Sequence, residues 1–128
     1  MHIPYNSKLG RLPDFRVSYR FYSLEEGGRE TLPCQGIRSD FWYDHEGQRE
    51  NVLFMIWPEF EDQHQEIILD NESPVPKEGT ARMWIINEEF RTYHKKRIVV
   101  GTKGWFREGS KATAECEVIE ILSLKNAL

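Results

Sequence analysis

The sequence lacks a basic surplus. Its 17 Lys and Arg stand against 21 Asp and Glu, a formal net charge of -4 over 128 residues. Chains that hold nucleic acid through phosphates usually carry the opposite balance, so RNA is a disfavoured partner and only local patches such as Lys95-Lys96-Arg97 remain for it. Cysteine is scarce too. Cys34 and Cys116 lie far apart, which excludes a disulfide framework and fits free thiols in a reducing compartment. No apolar run approaches the ~20 residues of a spanning helix. The longest, residues 52–57, has strand length, and the mean hydropathy is -0.63. No membrane partner is expected. The N-terminal Met1-His2-Ile3-Pro4-Tyr5-Asn6-Ser7-Lys8 has no apolar signal core, so the expected compartment is the cytoplasm.

Chemistry is sparse as well. His2, His45, His64 and His94 have no short ligand spacing with one another or with the cysteines, so no metal is expected and no cofactor either. Gly104-Trp105-Phe106-Arg107-Glu108-Gly109-Ser110-Lys111 has the glycine spacing of a phosphate-binding loop. It fails on the Ser-Lys order and on the strand that follows, because phosphate cradling needs a helix N-terminus. No GTPase activity and no catalytic residue are expected. Glu59, Glu61 and Asp62 read as a solvated acidic loop. Trp42, Trp57, Trp84 and Trp105 suit pockets and interfaces, but core is the better reading of each singly.

What is present is strand pattern. Phe15, Val17, Tyr19 and Phe21 alternate with polar neighbours, a half-buried strand. A paired-glycine turn follows, Glu25-Glu26-Gly27-Gly28-Arg29-Glu30-Thr31, and then a second strand over residues 38–43. A polar turn over 44–51 precedes the run 52–57, which is apolar on both faces and needs cover on both. Short strands are expected at 66–70, 81–86, 97–100 and 104–107, with a helical turn or wide loop at 87–96. Residues 111–122 form a long strand whose apolar phase shifts between Val118 and Ile119, as a bulge would require. About seven short strands at regular spacing indicate an all-β domain. It spans residues 14–123, with an N-terminal arm over 1–13 and a tail over 124–128.

The two glycine turns carry a resemblance. Glu25-Glu26-Gly27-Gly28-Arg29-Glu30-Thr31 and Gly36-Ile37-Arg38-Ser39-Asp40-Phe41-Trp42-Tyr43 are similar, with spacing preserved, to Glu-Glu-Gly-Gly-Arg-His-Thr and Gly-Tyr-Arg-Pro-Gln-Phe-Tyr-Phe of the third, C-terminal β-barrel domain of elongation factor Tu. Phe106-Arg107-Glu108-Gly109-Ser110-Lys111-Ala112 resembles that family's last hairpin. Coverage extends over 14–43 and 76–122 and fails over 44–75, where a longer hairpin around 52–70 stands instead. The resemblance implies a closed antiparallel barrel of about six to seven strands. It also implies a domain without catalytic residues that meets tRNA and protein partners. This chain departs from the tRNA-facing motif at Glu30, where the family has His, and at Asp40, where it has Gln. Carboxylates beside phosphates repel them.

The resulting expectation is a stand-alone, non-catalytic binding module for a protein partner. The candidate surface is Arg29, Glu30, Arg38, Asp40, Arg107 and Lys111, with Phe54, Ile56 and Trp57 as an interface hairpin. The alternatives are RNA bound near the glycine turns, or a small molecule in a Trp-lined cleft.

Overall fold

The computed structural model describes residues 1–44 and 54–128. The turn expected after Asp44, His45 within it, and Val52 and Leu53 of the apolar run lie outside the described residues.

Among the described residues six antiparallel strands are present: β1 (Phe15–Phe21), β2 (Asp40–Tyr43), β3 (Ile56–Phe60), β4 (Glu78–Ile85), β5 (Lys103–Glu108) and β6 (Lys111–Ile121). Their order is β2-β5-β6-β1-β4-β3, and the sheet curls strongly into a half-barrel. β1 is central because it alternates without a fault: Phe15, Val17, Tyr19 and Phe21 are buried, and Arg16, Ser18 and Arg20 point outward. Phe60 and Phe106 meet Tyr19 and Phe21 inside the curl, with tilted or edge-on ring contacts such as 5.1 Å for Tyr19–Phe60, and Phe41 packs against Phe106 and Phe15. One isolated antiparallel bridge links Phe41 of β2 to Phe54, which precedes β3: Phe41 N–H donates to the Phe54 carbonyl at 3.1 Å and Phe54 N–H returns at 3.4 Å.

The phase shift in the last strand is a bulge. Arg16 faces Glu120 and Val17 faces Val118, so Ile119 has no opposite residue on β1. Gly27 (φ 91°) sits in the first glycine turn and Gly109 (φ 64°) in the last hairpin, both in the left-handed region that disfavours side chains. The hairpin expected around 52–70 appears as β3, a turn over 62–65, and a return held by the Glu61–Ile67 bridge and by Ile68 N–H on the Phe60 carbonyl. The return is a single bridge rather than the expected strand, because the Gln35 side chain takes the neighbouring backbone groups. Its amide donates to the Phe60 and Ile68 carbonyls and accepts from Phe60 N–H, each at 2.9 Å.

Two segments differ from their sequence patterns. Residues 97–100 are a turn, not a strand; the preceding 3-10 turn (Glu88–Phe90) and helix α2 (Arg91–Lys95) lead into it. The N-terminal arm is tied down. It contains helix α1 (Tyr5–Leu9), and His2 and Tyr5 are buried. The C-terminal tail likewise sends Leu124 and Ala127 into the core. Asp14 fastens both ends. Fully buried, it accepts from Arg11 (2.9 Å), Arg91 (2.7 Å) and Ile85 N–H (2.7 Å), while its carbonyl accepts Leu122 N–H and Leu124 N–H. Such a pair is safe only when the carboxylate is fully satisfied, as it is at this corner.

Candidate binding face

The four tryptophans form two cross-strand pairs. Trp42 on β2 faces Trp105 on β5, and Trp57 on β3 faces Trp84 on β4. All four side chains point to the outer face, because the residues between them alternate inward.

The chain itself covers Trp84 of the second pair and leaves Trp57 half-exposed. Tyr5 of α1 lies edge-on to Trp84, ring centroids 6.0 Å apart, and tilted against Trp57 at 6.4 Å. Trp84 is 1 % exposed as a result. Beneath the arm, the buried Glu59 carboxylate of β3 accepts from Trp84 Nε1 (3.1 Å) and Tyr5 N–H (2.9 Å) and bonds His2 Nε2 (2.6 Å). Burial, followed by the Glu59 charge, pushes the Tyr5 hydroxyl pKa upward. Glu59 and Glu61 are thus not the solvated loop that their sequence suggests. Glu61 is buried against Arg16 (2.7 Å), Thr80 (2.7 Å) and Arg82 (2.9 Å). Burial raises its pKa, but those hydrogen bonds outweigh it and hold the carboxyl below its ordinary value.

The first pair stays half-exposed. Trp42 and Trp105 have centroids 5.1 Å apart, and Trp105 Nε1 donates to the Tyr22 hydroxyl at 3.1 Å. The row continues across the sheet in register, Trp42–Trp105–Glu115–Arg20–Glu78. Arg20 lies over the Tyr22 ring at 5.4 Å and pairs with Glu115 (3.0 Å) and Glu26 (2.9 Å). The arginine and the Ser23 N–H bond bring the Glu26 carboxyl down to about 2. A second outward row holds Lys103 against Glu117, with Ser18 next to it. Between the rows runs an open groove of about 370 Å3, floored by Gly104, Tyr19 and Cys116.

The candidate residues read from sequence divide between these two regions. Arg29 donates to Glu108 (2.7 Å), which fastens the first glycine turn to the last hairpin. Lys111 stands opposite Glu108 in that hairpin, and Glu30 is exposed nearby. Asp40 faces Arg107 across β2 and β5, and burial raises the Asp40 pKa. Arg107 lies over Trp42 at 5.1 Å. Asp40 and Arg107 thus border the half-exposed pair, while Arg29, Glu30 and Lys111 lie at the glycine turn and the last hairpin. Arg38 does not join them, since its guanidinium lies over Trp57 at 4.8 Å. The expected interface hairpin is no single surface. Ile56 is 0 % exposed and belongs to the core, Trp57 lies outside, and Phe54 packs among Tyr43, Tyr93 and His94. The cavity beside Phe54, lined by Met55, Ile85, Asn87, Phe90 and His94, is about 120 Å3.

Burial pushes the Cys116 thiol well above its usual range, so it lacks the thiolate that nucleophilic attack needs. Among the described residues, no three His, Cys, Asp or Glu side chains come together as metal ligands. None of their helices is long and apolar enough to cross a membrane. No protein-family model matches the chain, and no curated protein is significantly similar to it.

Proposed function

We propose that the chain is a non-catalytic binding module of the elongation factor Tu C-terminal-domain type. In this reading its sheet is a closed barrel, and a protein partner docks on the outer face of β2, β5, β6 and β1. The observation that carries the reading is the half-exposed Trp105–Tyr22 contact, hydrogen-bonded at 3.1 Å and set among Arg20, Lys103, Glu115 and Glu117. Tryptophan, tyrosine and arginine concentrate binding energy in protein interfaces, and charges of both signs at the rim supply specificity. The Phe41–Phe54 bridge supports closure, and the positive φ at Gly27 and Gly109 supports the family resemblance. The acid partners of Arg20 and Arg29 speak against a phosphate-bearing partner on this face. A cavity of about 120 Å3 beside Phe54 is small for a ligand pocket.

The test uses wild-type protein and Trp105→Ala as paired affinity baits, with Tyr22→Phe as a mild control. A protein retained by wild type and by the control, and weakened at least about thirtyfold by Trp105→Ala, supports the reading. Equal retention by all three baits, or no protein retained by wild type, overturns it.

A further inference from the structure

A second surface has a different chemistry. Residues 95–103 read Lys-Lys-Arg-Ile-Val-Val-Gly-Thr-Lys, four cations without one acid, inside a chain of net charge -4. Lys103 pairs with Glu117, but no ion pair among the described residues engages Lys95, Lys96 or Arg97. Lys95 Nζ donates to the Ala127 carbonyl, and the Arg97 guanidinium lies 3.7 Å over the Tyr93 ring and donates to the Tyr93 carbonyl, so neither has an acid as its partner. At the tip of the turn stand Val99 and Val100, 60 % and 62 % exposed. Turn corners favour polar residues, Pro or Gly, and two adjacent β-branched apolar side chains in water are out of place there.

The tip is also stiff. Val99 N–H donates to Thr102 Oγ1 (3.0 Å), Thr102 N–H to the Val99 carbonyl (3.1 Å) and Gly101 N–H to the Val118 carbonyl (2.8 Å). Gly101 takes φ 96°, which sets the corner. Below it, Ile98 is buried and its N–H donates to the His94 carbonyl at 2.8 Å. A tip held this firmly presents its valines without the ordering cost that a floppy loop would carry.

From this we infer that the 95–103 turn docks on an anionic lipid surface. The valines enter the acyl boundary while Lys95, Lys96 and Arg97 meet acidic headgroups. The half-buried Tyr93 beside them is an aromatic of the kind that settles at such interfaces. A convex apolar tip fits a deformable layer, and the charge is complementary to acidic lipid. Absence of a spanning run, on which the expectation of no membrane partner rested, does not bear on surface attachment, because a turn that lies on the bilayer needs no span.

The test is co-sedimentation with vesicles of about 30% phosphatidylserine in phosphatidylcholine, against phosphatidylcholine alone. Binding to the acidic vesicles only, weakened as salt rises from about 0.05 M to about 0.3 M, is expected. Lys96→Glu lowers the partition about fivefold or more. The double variant Val99→Ser, Val100→Ser lowers it by about tenfold. Both changes lie on exposed residues, and unchanged thermal midpoints verify that the variants are folded. No binding to the acidic vesicles overturns the inference. So does binding that the valine variant leaves intact, or that an equally charged RNA reproduces with the same indifference to the valines, since either marks a general polyanion site. The partner-bait experiment alters Trp105 and leaves Lys95, Lys96, Arg97, Val99 and Val100 in place, so either result stands without the other.

Discussion

The two tryptophan pairs share one geometry and differ in what lies over them. Each is a cross-strand pair on the outer face and each has an indole N–H on an oxygen; Arg107 lies over Trp42 in one, and Arg38 and Arg11 lie over Trp57 and Trp84 in the other. Trp84 lies under the N-terminal segment, with Tyr5 against it and Glu59 sealed beneath, while its partner Trp57 is half-exposed at the edge of that cover. The Trp42–Trp105 pair keeps both rings half-exposed amid surface charges. A cross-strand Trp pair is therefore not intrinsically a binding site or intrinsically core. What the rest of the chain places on it decides.

That contrast gives the largest predicted effect. Trp84→Ala removes a ring with 1 % exposure and costs about 3–5 kcal/mol in urea unfolding. Trp105→Ala costs about 1 kcal/mol or less in the same assay, yet lowers partner affinity by more than about 2 kcal/mol. Equal stability losses at the two sites would mean that the exposed pair is structural and would remove the proposed docking role.

The carboxylates beside the two pairs sharpen the same point at a smaller scale. Glu59→Gln leaves the fold near its native shape but weakens three buried hydrogen bonds, so a loss of about 1.5–3 kcal/mol is expected. Glu115→Gln on the exposed face breaks a pair whose carboxylate is 50 % exposed, and about 0.5 kcal/mol or less is expected. A comparable cost for the two would show the outer rows to be as rigid as the covered ones.

Acid titration separates the regions again. The folded-state pKa of Glu61 lies below the ordinary 4.5, so its stabilisation is fully present above that value and is lost as pH falls through the folded pKa. Unfolding free energy measured from pH about 6 downward should decline below about 4.5, and Glu61→Gln should flatten part of that decline while lowering the plateau. An unchanged slope in the variant would assign the acid sensitivity to other carboxylates such as Glu26.

Much of the strand pattern was legible. The alternation in β1 settled its inner face, and the phase slip at Ile119 announced a bulge, because period two leaves no other way to keep Val118 and Ile121 at their depths. The tryptophan pairs were not legible. Trp42 and Trp105 are far apart in sequence, and nothing local states that β2 and β5 are neighbours. Glu59 and Glu61 misread for the same reason: an acidic run looks solvated until His2, Tyr5, Arg16 and Arg82 arrive from distant segments. The lead-in over 1–13, polar and broken by Pro and Gly, hides one buried tyrosine whose target exists only after β3 and β4 pair. Of the candidate residues, Arg29 lies at the glycine turn against Glu108, whereas Arg38 lies over Trp57.

The smallest effects ask what the cover itself contributes. Tyr5→Leu keeps the backbone N–H on Glu59 and some apolar area over Trp84, and loses only the ring geometry, so about 1 kcal/mol is expected. Arg38→Ala removes a cation over Trp57 at an exposed position, and about 0.5–1 kcal/mol follows. Because these two act on one pair, their double variant should depart from the sum of the singles. Simple additivity would mean that Tyr5 and Arg38 bind Trp57 independently. The covered pair would then be held chiefly by Glu59 and His2, and aromatic stacking would lose its claim as the feature that tells the two faces apart.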